Sequence, residues 1–343
     1  PEKSGAGRVV WSADGRHVAT SHVERVGGGS SAYFRLWNWA DDMPTEDAAF
    51  GTQFDVEWAF GFYAHGPAIA FSPDGKLFAF PDRRARKVSF WDIEKDAVTG
   101  LVDDMHGEFY LGTLGLAFTA DGSQLALAGG LWKGGGGFLE FRDVATLTRV
   151  GEPMESGLGI DATFYSIALS PDGKWLVAGN PVGSTRAWPM GDLSKPSAIF
   201  GHDDWINKLA FSSDSRYLVT ASTDATAGIW EVGSWTRAGK ALQLQTRVVD
   251  AEFSPDDSLV VTSDDAGVVQ LWDFATREAV GPAMRHEGPV WDTAFHPNGR
   301  WLATVSHAGW LRIWSVPQAP ETNDSFQRQT WRTLGMRHDE ESG

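Results

Sequence analysis

A short motif recurs seven times along the chain, and its spacing limits the possible folds more than any other feature. Each copy is an apolar stretch ending in a polar turn, as in IAFSPDG at 69–75 and LAFSSDS at 209–215. The turn residue is an aspartate or, once, an asparagine: Asp14, Asp74, Asp121, Asp172, Asp214, Asp256 and Asn298. From Asp172 onward the interval is 42 residues. A constant interval of this size indicates repeated structural units.

A second marker follows about twenty residues after most of these turns. It is a tryptophan within an apolar run, at Trp37, Trp91, Trp188, Trp230, Trp272 and Trp314, with Arg142 in the third unit. The last three tryptophans are again 42 residues apart. Two independent markers therefore agree on the period.

Within each unit the apolar residues alternate with a period of two. The runs YLVTAS at 217–222 and WLATVS at 301–306 are β-rich and bounded by Asp, Gly and Asn, which is typical of strands. Each unit is thus predicted to contain strands a, b, c and d, with the x-Asp-Gly turn between a and b. Four-stranded sheets of this size bury both faces only between neighbouring sheets in a ring.

We therefore predict an all-β fold, a seven-bladed β-propeller of four-stranded antiparallel blades that forms a single domain over residues 1–343. The a strands are expected near residues 9, 69, 116, 167, 209, 251 and 293.

The segments 201–232 and 285–316 resemble WD-repeat (WD40-type) blades, and the similarity extends over essentially the whole chain. The resemblance implies a structural tetrad of a histidine, a hydroxyl residue, an aspartate and a tryptophan. Blade five matches it with His202, Ser222, Asp224 and Trp230. Blade seven offers His286, Ser306 and Trp314, whereas blade three carries Arg142 in place of the tryptophan.

Two C-terminal phrases extend the resemblance to the propeller regions of large bacterial multidomain signalling proteins. They are GPAMRHEGPVWDTAF at 281–295 and QRQTWRTLGMRHDEESG at 327–343. We expect this chain to be part of such a larger protein, and a kinase or ATPase module outside the chain is one alternative that the sequence leaves open. The last d strand would come from the segment 317–343, for which 327–336 is the best candidate, or from chain upstream of Pro1.

The binding face is predicted from strand direction. Because strands alternate in direction, the b–c and d–a connections of all blades share one face. Extra length falls on that face at 24–32, 102–113, 129–137 and 152–162, all in blades one to four. Loops on a rigid scaffold carry variable function, so partner binding is expected there. The alternative is that these segments are solvated insertions without a function.

Seven residues are candidates for partner contact. A basic cluster in the b–c turn of blade two suits carboxylates or phosphates, although it could simply offset nearby acidic residues. Three tryptophans could anchor a partner or pack between blades. The residues are Arg83, Arg84, Arg86 and Lys87, and Trp132, Trp205 and Trp291.

Composition narrows the function classes further. There is no cysteine, so thiol catalysis and cysteine-ligated metals are excluded. A net charge of -16 opposes binding to nucleic acid or to an anionic membrane. No stretch reaches the roughly 18 apolar residues of a membrane helix, and a signal peptide pattern is missing from the start, so we expect a cytoplasmic location.

Catalytic motifs are weak throughout, and we assign no catalytic residue, metal or cofactor. The sequence predicts a non-enzymatic interaction scaffold or sensor that binds a protein partner, expected to be an acidic or phosphorylated segment, on the b–c/d–a face of blades one to four. The alternative is a propeller hydrolase or lactonase with a metal site in the central channel.

Overall fold

A computed structural model describes residues 5–26, 29–39, 50–58, 68–82, 87–102, 109–131, 136–155, 163–317 and 333–336. Across these ranges 28 β-strands form seven sheets, each of four antiparallel strands that are consecutive in the chain. The described ranges contain no α-helix, and therefore no helix that could cross a membrane. The predicted all-β, seven-bladed propeller is confirmed.

The strands of the first four blades run in the order a, b, c, d. Blade one comprises β1 (Gly5–Trp11), β2 (His17–Val26), β3 (Gly29–Asn38) and β4 (Phe50–Trp58). Blade two comprises β5 (Ala70–Phe71), β6 (Leu77–Asp82), β7 (Lys87–Asp92) and β8 (Ala97–Val102). Blade three comprises β9 (Phe109–Phe118), β10 (Gln124–Leu131), β11 (Gly137–Asp143) and β12 (Arg149–Glu155). Blade four comprises β13 (Ser166–Leu169), β14 (Trp175–Gly179), β15 (Ser184–Pro189) and β16 (Ala198–Gly201).

The remaining three blades follow the same order. Blade five comprises β17 (Ile206–Phe211), β18 (Tyr217–Ser222), β19 (Thr226–Glu231) and β20 (Leu242–Gln243). Blade six comprises β21 (Val248–Phe253), β22 (Leu259–Asp264), β23 (Val268–Asp273) and β24 (Ala279–Arg285). Blade seven comprises β25 (Val290–Phe295), β26 (Trp301–Ser306), β27 (Leu311–Ser315) and β28 (Thr333–Met336).

The repeated turn between strands a and b is held by its own side chains. In blade two, Ser72 Oγ donates to Asp74 Oδ1 (2.6 Å) and accepts from the Leu77 N–H (2.9 Å). The hydrogen bond from Ser72 is the main reason that the pKa of Asp74 is lowered. Gly75 follows with φ +71°, a left-handed conformation that glycine adopts without steric cost. This local chemistry explains why the motif recurs with so little change.

Blades one and seven close the ring through their a strands. Asp292 Oδ2 accepts from the Val9 N–H (2.8 Å), and Trp11 Nε1 donates to the Ala294 carbonyl (3.0 Å). A shared apolar cluster, which includes Val9 and Trp11 of blade one and Ile313 of blade seven, fills the space between the two sheets. The d strand of blade seven is β28, which pairs with β27 and lies within the range 327–336 named above. Each blade is thus built from its own stretch of chain.

Part of the length expected in loops is instead β-structure. The pairing of β2 with β3 continues as far as Val26 and Gly29, so the predicted loop at 24–32 is mostly an extended hairpin. Similarly, β9 begins at Phe109, inside the predicted loop at 102–113, and Phe109 pairs with Leu131 of β10. These stretches are rich in glycine, as loops often are, but strand pairing satisfies the backbone hydrogen-bonding groups there. The extra residues of blades one and three therefore lengthen their sheets at the b–c/d–a face.

Candidate functional site

A hydrogen-bonded network links the loops and strands of blade five. His202 Nδ1 lies 2.9 Å from Asp224 Oδ2, and His202 Nε2 lies 2.6 Å from Thr220 Oγ1. The indole N–H of Trp230 donates to the same Thr220 oxygen (2.9 Å). Burial lowers the pKa of His202, against the opposing effect of Asp224, so its imidazole is neutral. The distances fit a ring that donates from Nδ1 to Asp224 and accepts from Thr220 at Nε2.

The hydroxyl of this network belongs to Thr220, which corrects the assignment to Ser222. Ser222 Oγ instead donates to the Asp204 carbonyl (3.0 Å) and accepts from the Asp224 N–H (3.1 Å). Both residues point to the same side of β18, so alternation alone does not distinguish them. The tertiary structure decides because Gly228 faces Thr220 across the sheet, and a Cβ there would lie about 3.0 Å from Thr220 Oγ1 and Trp230 Nε1.

The same threonine–tryptophan contact recurs elsewhere in the ring. In blade seven, Thr304 Oγ1 binds His286 Nε2 (2.8 Å) and Trp314 Nε1 (2.8 Å), so Thr304 replaces the predicted Ser306. Burial lowers the pKa of His286 to about 3. Further contacts join Trp272 to Thr262 (2.8 Å) and Trp37 to Thr20 (3.3 Å). The threonines 220, 262 and 304 are 42 residues apart, a signal that was readable in the sequence.

Blade three replaces the tryptophan by a buried ion pair. Arg142 donates from Nη2 to Glu140 Oε1 (2.8 Å) and from Nε to the same oxygen (3.0 Å), and neither side chain is exposed. Arg149 approaches the second Glu140 oxygen from the surface (3.2 Å). A charged pair thus fills a position that is aromatic in the other blades.

The predicted contact residues have different outcomes. Arg83, Arg84, Arg86 and Trp132 lie outside the described residues. Lys87 is half-buried at the start of β7, and in the strand register it lies opposite Asp82, the last residue of β6. The binding hypothesis for the basic cluster therefore remains a proposal.

The two other tryptophans occupy different environments. Trp205 lies in the connection between β16 and β17, is 36% exposed and packs its ring 5.4 Å from that of Tyr165. Trp291 is only 4% exposed, with its ring 5.8 Å from His307 and 6.0 Å from the Arg247 guanidinium. Burial removes Trp291 as an exposed anchor, because β25 turns its side chain into the protein. Trp205 remains accessible on the b–c/d–a face.

The central channel holds a charged cluster that the sequence reasoning missed. The ammonium of Lys208 lies 2.5 Å from Asp292 Oδ1 and 3.2 Å from Asp250 Oδ1, and Arg8 Nη1 lies 3.5 Å from the same Asp292 oxygen. Glu252 completes the cluster, with Oε1 accepting from the Phe295 N–H (2.5 Å). The residues 208, 250 and 292 are 42 apart, so charged residues at one repeat position were the signal for this cluster.

The aspartates of this cluster also join neighbouring blades. Asp250 Oδ2 of blade six accepts from both the backbone N–H (2.7 Å) and the hydroxyl (2.6 Å) of Thr293 in blade seven. In the same way, Asp292 of blade seven accepts from the backbone N–H of Val9 in blade one. Two blades before Asp250, in blade four, Ser166 Oγ accepts from the Leu209 N–H (3.2 Å). Lys208 occupies the equivalent position of blade five, and its ammonium cannot accept such a bond. It binds the aspartates of the next two blades instead.

Burial and charge shift the pKa values inside the channel. Burial, with the neighbouring Asp250, raises the pKa of Glu252 well above its usual value. Burial also raises the pKa of Asp292, although Lys208 opposes this. For Lys208 the attraction of Asp250 and Asp292 outweighs burial, so its pKa is raised. Lys208 is therefore a permanent cation at neutral pH, and Glu252 is the group that is most readily protonated.

A cavity of about 490 Å³ runs along the channel and is lined by the a strands of all seven blades. Its charged side is formed by blades five, six, seven and one, and blades two to four contribute an apolar side. Among the described residues, no three His, Asp or Glu side chains are grouped to hold a metal ion.

The comparisons with known proteins agree with the geometry. Residues 194–231, 242–273 and 283–315 match the family model described as WD domain, G-beta repeat. These segments run from the d strand of blade four to the c strand of blade seven. Together with the seven-bladed ring, these matches support a WD40-type β-propeller. The chain has no close match among curated proteins.

Proposed function

We propose that this propeller is a protein-interaction scaffold that binds its partner on the b–c/d–a face. WD40 propellers commonly serve this role and are typically not enzymes. The exposure of Trp205 is the observation that carries the proposal. Among the described residues, it is the one tryptophan that belongs to the exposed large apolar side chains. Tryptophan is a frequent anchor of protein interfaces.

The surroundings of Trp205 supply what an interface anchor needs. The side chain of Val182, 47% exposed, lies on the same end of the ring, where Gly183 packs against the backbone carbonyls of His202 and Asp204. The network of Thr220, Asp224 and His202 holds this loop in place. A pre-ordered surface loses little conformational entropy when a partner binds.

The chemical nature of the partner is proposed from the basic cluster of blade two. Arg83, Arg84, Arg86 and Lys87 place four cations next to the b–c turn of a chain whose net charge is -16. Guanidinium groups bind carboxylates and phosphates with paired hydrogen bonds. The partner is therefore an acidic or phosphorylated protein segment that extends from the Trp205 region towards blade two.

The test compares affinity purifications of the wild type, Trp205→Ala and the control Ile199→Ala, with quantitative mass spectrometry of the captured proteins. Ile199 is 64% exposed on the outer strand β16, so its change removes a similar apolar surface away from the proposed face. We expect a partner whose recovery falls at least tenfold with Trp205→Ala and is unchanged with Ile199→Ala. Equal recovery with both variants contradicts this face.

A second arm tests the charge of the partner. The triple change of Arg83, Arg84 and Arg86 to glutamine should weaken binding of the purified partner, and phosphatase treatment of that partner should have the same effect if phosphate is recognised. Unchanged affinity in both measurements would reject the acidic segment while leaving the Trp205 result intact.

A further inference from the structure

We propose that the central cavity binds a small organic ammonium, a protonated amine attached to an apolar body. This inference is independent of the protein-binding face, since it concerns the channel formed by the a strands.

The first argument is a charge count. Asp250, Asp292 and Glu252 bring three carboxylates to the channel, whereas Lys208 and Arg8 bring two cations. With all five groups ionised, the cluster lacks one positive charge. The two aspartates are bound to Lys208 and to backbone N–H groups of the next blade, so the uncompensated charge falls on Glu252.

The second argument is the position of Glu252. Its Oε1 accepts from the Phe295 N–H, and its other oxygen has no hydrogen-bond partner among the described residues, although Glu252 lines the cavity. Its raised pKa reflects burial together with the charges of Asp250 and Asp292, which Lys208 only partly offsets. A bound ammonium would supply the missing positive charge and pair with the carboxylate of Glu252. Glu252 would then release its own proton to solvent, because the ammonium favours the ionised carboxylate.

The third argument is the opposite wall. Ile69, Phe71, Leu116, Phe118 and Ile167 are among the residues that line this side of the cavity, and they also belong to the apolar packing between the blades. The volume of about 490 Å³ lies within the range of small-molecule sites, which are mostly apolar with a few polar groups that orient the ligand. An amine with an aromatic or aliphatic body matches both walls, whereas a carboxylate would add a further negative charge.

The experiment uses three probes that share a phenylethyl body and differ in the polar group it carries: 2-phenylethylamine, 2-phenylethanol and 3-phenylpropionate. Isothermal titration calorimetry at pH 7 in phosphate and in HEPES measures affinity and proton release together. We expect the amine to bind at least tenfold more tightly than the alcohol or the carboxylate. The heat of amine binding should differ between the buffers, because Glu252 loses a proton on binding.

The decisive variant is Glu252→Gln, which keeps an acceptor for the Phe295 N–H but cannot ionise. We expect at least tenfold weaker amine binding and no buffer dependence. The matched control Glu278→Gln, an exposed position of the same blade, should bind like the wild type. Similar affinity of the wild type for all three probes, no binding at millimolar concentration, or full binding by a folded Glu252→Gln protein would overturn the proposal. The wild-type probe comparison decides the question even if the variant does not fold.

Discussion

The carboxylate of Glu140 and the guanidinium of Arg142 form an ion pair inside blade three, 2.8 Å apart and fully shielded from solvent. Charged groups are this deeply buried only when they are paired, because desolvation costs several kcal/mol for each ion. The pair takes the space that Trp91 or Trp230 occupies in other blades. Its members therefore depend on each other for stability.

Arg142→Met should lower the free energy of unfolding by about 3–5 kcal/mol, because among the described residues it leaves the buried Glu140 with the peripheral Arg149 as its one remaining counter-charge. The double variant with Glu140→Leu should recover much of this loss, since no buried charge remains. Urea denaturation at pH 7 measures both. Additive losses in the double variant would show that the two residues are not coupled.

Thr220→Val should destabilise the protein by about 1–3 kcal/mol, because Trp230 and His202 lose their common hydroxyl partner. Thr220→Ser retains the hydroxyl and serves as the control. Urea denaturation of the two variants measures the difference. Equal stability of the valine and serine proteins would contradict the role given to this hydroxyl.

Glu252→Gln should become more stable than the wild type as the pH rises above about 4.5, the ordinary pKa of glutamate. Above this pH the unfolded wild type has lost the proton that folded Glu252 still holds, so folding must bind a proton and wild-type stability falls. Glutamine does not titrate and avoids this loss. Free energies of unfolding at pH 5, 6, 7 and 8, without amine ligands, give the comparison. A difference that stays constant with pH would refute the raised pKa.

Removing β28 should destabilise blade seven, because β27 then loses its outer neighbour. The lost strand pairing extends from Trp314 opposite Thr333 to Leu311 opposite Met336. A chain ending at Pro317 is expected to lose about 1–3 kcal/mol relative to a chain ending at Met336, given the net stability of a few backbone hydrogen bonds. Thermal and urea denaturation of the two truncated chains test this. Identical stability would mean that β28 contributes nothing to the ring.

Much of the fold is predictable from this sequence because its strongest signals act within one blade. The turn around Asp74 is stabilised by Ser72, two residues away, and strand alternation in 217–222 follows from the pleat of a single sheet. Such contacts need no knowledge of neighbouring blades. The blade count and strand order follow from them.

The candidate site was less predictable, because exposure depends on how neighbouring blades pack. Trp205 immediately precedes one a strand and Trp291 is the second residue of another, yet Trp205 is exposed and Trp291 is buried. Likewise Thr220 and Ser222 share one face of β18, and the space left by Gly228 opposite Thr220 decides which hydroxyl the Trp230 indole meets. Extra residues in blade one suggested a loop, whereas pairing between β2 and β3 makes them strands.

By itself the sequence determined seven repeated units, their four strands and the chemistry of their turns, because these features depend on residues close together in the chain. Only the tertiary structure decided which polar side chains meet. Arg8 reaches Asp292 across the closure of the ring, and Lys208 reaches the aspartates of two following blades. These distant contacts create the charged channel, because circular closure brings the a strands of all blades around one axis.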